Sequence, residues 1–359
     1  MAATSGFGAR LARFDVGWTR LESVLCTAVL ALEVCAFTFW IALKGFSLTS
    51  GATNHAGLVF RAAFGALALG PIANLLSRGR PAKVRLPVAL GAALVGMLLG
   101  YASGNVGSAY FSNALNWLQD SSFLTLLGGL RGVGTELTWL LAMLGASLAT
   151  GSSKHINIDA LLRFLRPKLR VPAVVIGWIF AAVVCLAGVV GFFDHIAIES
   201  FGAPADATPG EKISIAWHEQ GRHLFLLRKQ VSLDMKTASH VFAGERYDSW
   251  LHGGDWNMWV KDGDWDEYFT PQQVDAIILP EAAATELHPP LVIVPSGGNS
   301  RGLLTRDLHL IFPFGLFIIG IRFLVRALLL AIGRIDLEAE AQAILPKEEA
   351  EVLSSEGEG

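Results

Sequence analysis

The chain has 359 residues, 52% of them hydrophobic and only 16% charged, whereas soluble globular proteins carry about 25% charged residues; this argues against a large water-soluble enzyme. Its 28 basic and 31 acidic residues leave no cationic excess, which argues against a nucleic-acid partner, because phosphate binding needs a cationic face. Cys26, Cys35 and Cys185 lie in apolar runs and read as small buried hydrophobes, not as a disulfide framework or a metal cluster.

A helix needs roughly 20 mostly apolar residues to cross a bilayer. Six stretches approach that length: 23–43, 58–76, 86–102, 123–149, 172–193 and 308–330. The third is short and rich in glycine. Arg131 and Glu136 interrupt the fourth, so its span is expected to start near Gly132. The first run is too long for the core of a cleavable signal peptide, and no small-residue cleavage site follows it closely.

Charge sets the expected orientation. Arg10, Arg13 and Arg20 precede the first span. Arg78, Arg80, Lys83 and Arg85 crowd the second connection, and Lys154, Arg163, Arg166, Lys168 and Arg170 the fourth. Segments 45–57 and 104–122 hold no Lys or Arg. Cytoplasmic loops carry the Lys/Arg excess, so both termini are expected in the cytoplasm of a multi-pass inner-membrane protein. The organisation expected is a cytoplasmic N-terminus (1–22), five spans (23–193), an outer soluble domain (194–306), a last span (307–333) and an acidic cytoplasmic tail (334–359).

The outer domain holds five of the ten tryptophans: Trp217, Trp250, Trp256, Trp259 and Trp265. Disordered segments are poor in aromatics, so it is expected to fold. Residues 213–217 and 224–231 read as strands, 271–278 as a short helix, and 291–294 as a β-branched run before a turn. The fold class expected is therefore an all-α integral membrane protein, with about six spans and one interfacial helix, carrying an inserted α+β domain between the last two spans. Trp250, Trp256, Trp259 and Trp265 are either a surface for a periplasmic partner, since aromatics dominate binding hot spots, or the core of that domain.

Several constellations carry little chemistry. The acidic run 262–267 lacks the alternate ligand spacing of a calcium loop and reads as a solvated turn. His218, His223, His240 and His252 show no zinc-ligand spacing. Ser296 lies in a glycine-rich turn without a nucleophile-elbow pattern. The glycines of 128–134 suit helix packing better than a phosphate loop. No catalytic residue, cofactor or metal is expected.

Intramembrane charges weigh more, because lipid makes them costly. Glu33 sits in the first span, Glu136 early in the fourth, and Arg322 and Arg326 late in the sixth. The two arginines read as snorkelling to the inner interface, Arg326 above all. Glu136 either faces headgroups or bonds a partner helix. Transport pathways use broken helices and midplane polar groups, which the chain does not clearly offer, so it reads as a membrane companion rather than a carrier.

The fourth connection has the most specific pattern. Ile158, Leu161, Leu162 and Leu165 make one apolar stripe, while Asp159 and Arg163 stand at ion-pair spacing on the opposite face. Ser153 caps the start and Pro167 stops it, giving an amphipathic helix over 153–166 along the inner membrane surface.

Glu136-Leu137-Thr138-Trp139, then Leu144-Gly145-Ala146, then His155-Ile156-Asn157-Ile158-Asp159 with its basic helix resembles the small membrane subunit of TRAP transporters, the DctQ-like family. Phe312-Pro313-Phe314-Gly315 followed by Arg322 resembles that family's last span. The likeness covers about 120 residues in pieces. Family members have four spans and a short outer loop, so the hairpin 58–102 and the outer domain are departures, as is the loss of a basic residue near Thr150-Gly151. The resemblance implies a subunit without catalytic residues that braces a large membrane subunit. That partner carries a solute, such as an organic acid, by a sodium-driven elevator movement, after delivery by a periplasmic substrate-binding protein. It also implies a subunit interface at Glu136, Trp139, Gly145, His155, Asp159, Arg163, Pro313, Gly315 and Arg322. Two rival classes are a membrane sensor with a periplasmic ligand-binding domain and a membrane-bound enzyme using the outer histidines and carboxylates.

Overall fold

Apolar runs without helix breakers become long helices here. The computed structural model describes residues 2–51, 55–151, 167–288, 292 and 300–334. In chain order the helices are α1 (Ala2–Ser47), α2 (Ala56–Leu76), α3 (Ala82–Ala102), α4 (Ser108–Asn116), α5 (Phe123–Leu126), α6 (Gly129–Gly151), α7 (Pro167–Glu199), α8 (Pro209–Phe242), α9 (Gly253–Lys261), α10 (Pro271–Asp275), α11 (Thr305–Leu308) and α12 (Ile311–Ala331). A π-helical turn, Trp117–Ser121, joins α4 to α5.

Six helices are long and apolar enough to cross a membrane: Gly6–Ser47, Ala56–Leu76, Ala82–Ala102, Gly129–Gly151, Leu169–Glu199 and Thr305–Ala331. They match the six expected spans. The fourth is cut where the chain turns at Gly128 and Gly129, both with positive φ near +80°, a conformation glycine adopts without a Cβ clash. Residues 123–126 therefore form α5 apart from the span, and α6 starts three residues before Gly132. The first helix has 46 residues, about 69 Å at 1.5 Å per residue, more than twice a hydrocarbon core of about 30 Å.

The chain divides into two compact units. The first takes in Met1–Glu33, Thr135–Glu219 and Arg306–Gly359. Its core packs Val174, Trp178 and Ala182 of α7 against Ile319, Phe323, Ala327 and Leu330 of α12. These positions recur every three or four residues, so each helix presents one apolar face. Gly320 lets α12 approach α7, where a Cβ would stand 3.3 Å from Cys185 and Leu186; Gly315 lets it approach α6, where a Cβ would stand 2.9 Å from Met143. Half of the α12 span is buried, against 22% or less in the other five.

The second unit takes in Val34–Gly134 and Gln220–Thr305. Its α2 and α3 pack backbone to backbone. A Cβ on Gly65 would fall on the Gly96 carbonyl, a Cβ on Gly96 on the Gly65 carbonyl, and one on Gly100 on the Arg61 carbonyl. The buried Arg61 guanidinium donates to the carbonyls of Phe46 (2.8 Å), Val106 (3.0 Å) and Gly104, closing the end of this hairpin. A second core gathers Leu126, Phe225, Leu226, Trp265, Phe269, Leu303 and Leu304, beside a cluster of Leu233, Leu251, Trp256 and Val260.

The expected α+β insertion is corrected. Residues 213–217 and 224–231, expected as strands, lie inside the 34-residue helix α8. Among the described residues the only strands are β1 (Leu251–His252) and β2 (Leu287–His288), an antiparallel pair of two residues each. Buried positions along α8 are Lys212, Ala216, His223, Phe225, Leu226, Gln230, Leu233, Asp234, Thr237 and Val241. Their spacing is helical, but five of them are polar or charged, so hydrophobicity alone does not display it. The short helix expected at 271–278 is present as α10, opened by a Thr270/Gln273 capping box. Of the run expected at 291–294 only Val292 is described. Cys35 is exposed on α1, not buried as expected, and Cys26 and Cys185 are half-buried.

Candidate functional site

Arg322 and Arg326 lie one turn apart on α12. Instead of snorkelling they turn inward, each only 3% exposed. An unpaired charge at such depth is costly, and each guanidinium finds partners within the first unit. Arg322 forms an ion pair with the Glu22 carboxylate and donates to the Thr19 hydroxyl. Asp15 lies 3.9 Å from its Nε. Glu22 is itself 2% exposed. Its Oε1 accepts from Trp18 Nε1 at 2.8 Å and from Ser147 Oγ at 2.5 Å. Thr19 donates its own hydroxyl to the Asp15 carbonyl at 2.8 Å. One polar knot thus joins α1, α6 and α12.

Arg326 continues the knot. It donates to the carbonyl of Gly151 in α6. Its guanidinium stands 5.5 Å from the Trp178 ring of α7, a cation–π distance. A Cβ at position 151 would strike the Arg322 guanidinium, which would have to shift.

Two further acids in the spans also have company. Glu33 of α1 accepts from Thr138 Oγ1 of α6 at 2.6 Å. Glu136 is buried and interacts electrostatically with His309. Trp139 is 46% exposed and packs edge-on against Phe312, ring centroids 5.1 Å apart. Pro313 and Gly315 are buried in α12. Among the described residues, Gly145 has no atom within 4 Å of where a Cβ would stand. The structure thus gathers Glu136, Trp139, Pro313, Gly315 and Arg322 along α6 and α12. His155, Asp159, Arg163 and the interfacial helix expected at 153–166 lie outside the described residues. So does the acidic tail beyond residue 334.

The sequence analysis missed Thr19, Glu22 and Ser147. Glu22 stands one residue before the first apolar run, so the sequence alone groups it with the N-terminal segment. An acid just before one apolar run and an arginine deep in another were the available signal.

The second unit has its own buried acid. Asp234 of α8 accepts from the Phe123 amide at 2.6 Å and from Gln230 Nε2 at 2.7 Å; Gln230 also donates to the Ser121 carbonyl at 3.3 Å. Burial pushes the Asp234 carboxyl up to about 6, against the opposing pull of those two hydrogen bonds. Of the four expected tryptophans, Trp256 and Trp265 are buried in the cores. Trp250 and Trp259 are half-buried and line an open cleft with Lys236, Asp255, Met258 and Asp262. Trp250 stacks on His240, centroids 4.4 Å apart, and His240 pairs with Glu245 at 2.6 Å. Among the described residues no three His, Cys, Asp or Glu side chains are placed to hold a metal.

Residues 133–215 match the family model of the DctQ component of tripartite ATP-independent periplasmic transporters. The chain carries a DctQ region. This DctQ region takes in α6 from Val133, α7 and the start of α8. It therefore supplies Ser147 and Gly151 to the knot, while Thr19, Glu22, Arg322 and Arg326 lie outside it. Glu136, Trp139, Gly145, His155, Asp159 and Arg163 fall inside the DctQ region, and Pro313, Gly315 and Arg322 do not. No curated protein and no solved structure matches the chain. With its six apolar helices, this is a multi-pass membrane protein.

Proposed function

We propose that the chain is the small membrane subunit of a TRAP-type secondary transporter and braces the large carrier subunit in the bilayer. The observation that carries this is the DctQ match over 133–215. The polar knot supports a bracing role. Glu22 and Arg322 spend their charge on each other, which suits a fixed frame more than a solute pathway. An elevator carrier needs one part held still, and helices tied by buried ion pairs resist shear. In this proposal a sodium gradient drives uptake, a soluble binding protein delivers a solute such as an organic acid from the periplasmic side, and both termini lie in the cytoplasm, as the Lys/Arg asymmetry favours. The subunit interface is proposed on the face of α6 that carries Trp139 and Gly145.

The test is uptake in cells that make the large subunit and the binding protein, with and without this chain. Uptake is expected to fall to background without it and to return when it is restored. Full uptake without the chain would overturn the proposal.

A further inference from the structure

A cleft of about 520 Å³ opens in the first unit beside the polar knot. Val16, Arg20, Ser23 and Val24 of α1 form one wall, and Arg326 of α12 stands opposite. Its place along α1 is specific: the N-terminal half of that helix carries Arg10, Arg13 and Arg20, and the apolar run begins at Ser23. In a bilayer this step from charged to apolar coincides with the phosphate layer of the lipid.

The groups in the cleft suit an anion. Arg326 is nine-tenths buried and held in place by the Gly151 carbonyl and the Trp178 ring, so its cation is fixed before any ligand arrives. Arg20 is exposed and adds a second cation from another helix. Ser23 adds a hydroxyl. The acid in the lining is Asp15, which lies 3.9 Å from Arg322, the ion-pair partner of Glu22, so the two cations of the lining face one carboxylate. Val16 and Val24 are 69% and 60% exposed and offer apolar surface beside the cations. Guanidinium pairs recognise phosphate oxygens with directional hydrogen bonds, and basic pockets between membrane helices take anionic headgroups. We propose that this cleft binds a phosphate group, supplied by the headgroup of an anionic phospholipid. The proposal rests on the membrane spans and stands apart from the transporter assignment.

Native mass spectrometry of the full chain in detergent tests it, with phosphatidylglycerol, phosphatidylcholine and inorganic phosphate as probes. The wild-type chain is expected to retain phosphatidylglycerol in preference to phosphatidylcholine. Arg20→Ala, a surface change outside the polar knot, is expected to weaken that retention about fivefold, the effect of losing one headgroup cation, with an unchanged unfolding temperature. Arg326→Lys, which keeps the charge and loses the fork, is expected to weaken it as well. Equal retention of both lipids, or retention unaffected by Arg20→Ala, would overturn the site. Displacement of phosphatidylglycerol by millimolar inorganic phosphate would overturn the lipid source and assign the cleft to soluble phosphate compounds; failure to displace it supports the lipid.

Discussion

Glu22 and Arg322 lie 300 positions apart in sequence and meet as a buried pair, 2% and 3% exposed. Removing one partner of a buried pair leaves an uncompensated charge and costs about 3 to 5 kcal/mol, whereas replacing both with apolar residues of similar volume is close to neutral. Glu22→Ala is therefore expected to destabilise the chain by about that amount in detergent unfolding, and Glu22→Leu with Arg322→Met to recover most of it. A double variant as unstable as the single one would contradict the ion-pair account. Asp234 gives a pH dependence. Its folded value of about 6 lies above the ordinary 3.8, so the folded state holds the proton more tightly than the unfolded state. Its contribution is full below about pH 4 and is lost as pH rises through 6, a change of about 3 kcal/mol at most. Exchange of the Phe123 amide, which donates to Asp234, is expected to be less protected at high pH beyond its intrinsic rate, and Asp234→Asn to flatten that dependence. At this scale the sequence revealed least. Arg322 was visible as a costly charge, but its partner was not, because the helix that carries Glu22 continues well before its apolar run.

The long apolar helices were legible because lipid demands a continuous hydrophobic stretch, and length alone separates such stretches from core segments. The break at Gly128 and Gly129 was half-legible, since Arg131 and Glu136 warned of a late start. Helix α8 was not legible as a helix. Alternation at Ile213, Ile215 and Trp217 imitates a strand, while the buried stripe contains Lys212, His223, Gln230 and Thr237, residues that hydrophobic patterning places outside. Their burial is explained by hydrogen bonds such as Lys212 to Asp194 at 2.6 Å, a fact of tertiary structure. The hairpin of α2 and α3 makes the clearest element-scale prediction. Gly65→Ala sets a Cβ on the facing Gly96 carbonyl, so the helices must separate, at a cost of about 1 to 3 kcal/mol. Gly91→Ala in the same hairpin meets open space and is expected to leave stability unchanged. Equal unfolding temperatures for the two variants would argue against close backbone packing.

For the whole molecule, the family signal lies in α6, the fourth connection and α7, whereas the residues that lock α6 in place come from both ends of the chain. Local motifs carry the likeness to DctQ, and long-range pairing ties the helices of the first unit together. Gly145 separates the chain's own fold from its assembly. It has open space around it, so Gly145→Leu is expected to leave the isolated chain as stable as before while obstructing a partner helix, which needs small residues for close approach in lipid. The most direct test of the bracing account is copurification from native membranes through a tag on this chain. The account predicts that a large multispanning subunit comes down with the wild-type chain, and that Gly145→Leu loses most of it at unchanged thermal stability. A chain that purifies alone from membranes with intact uptake would contradict the account.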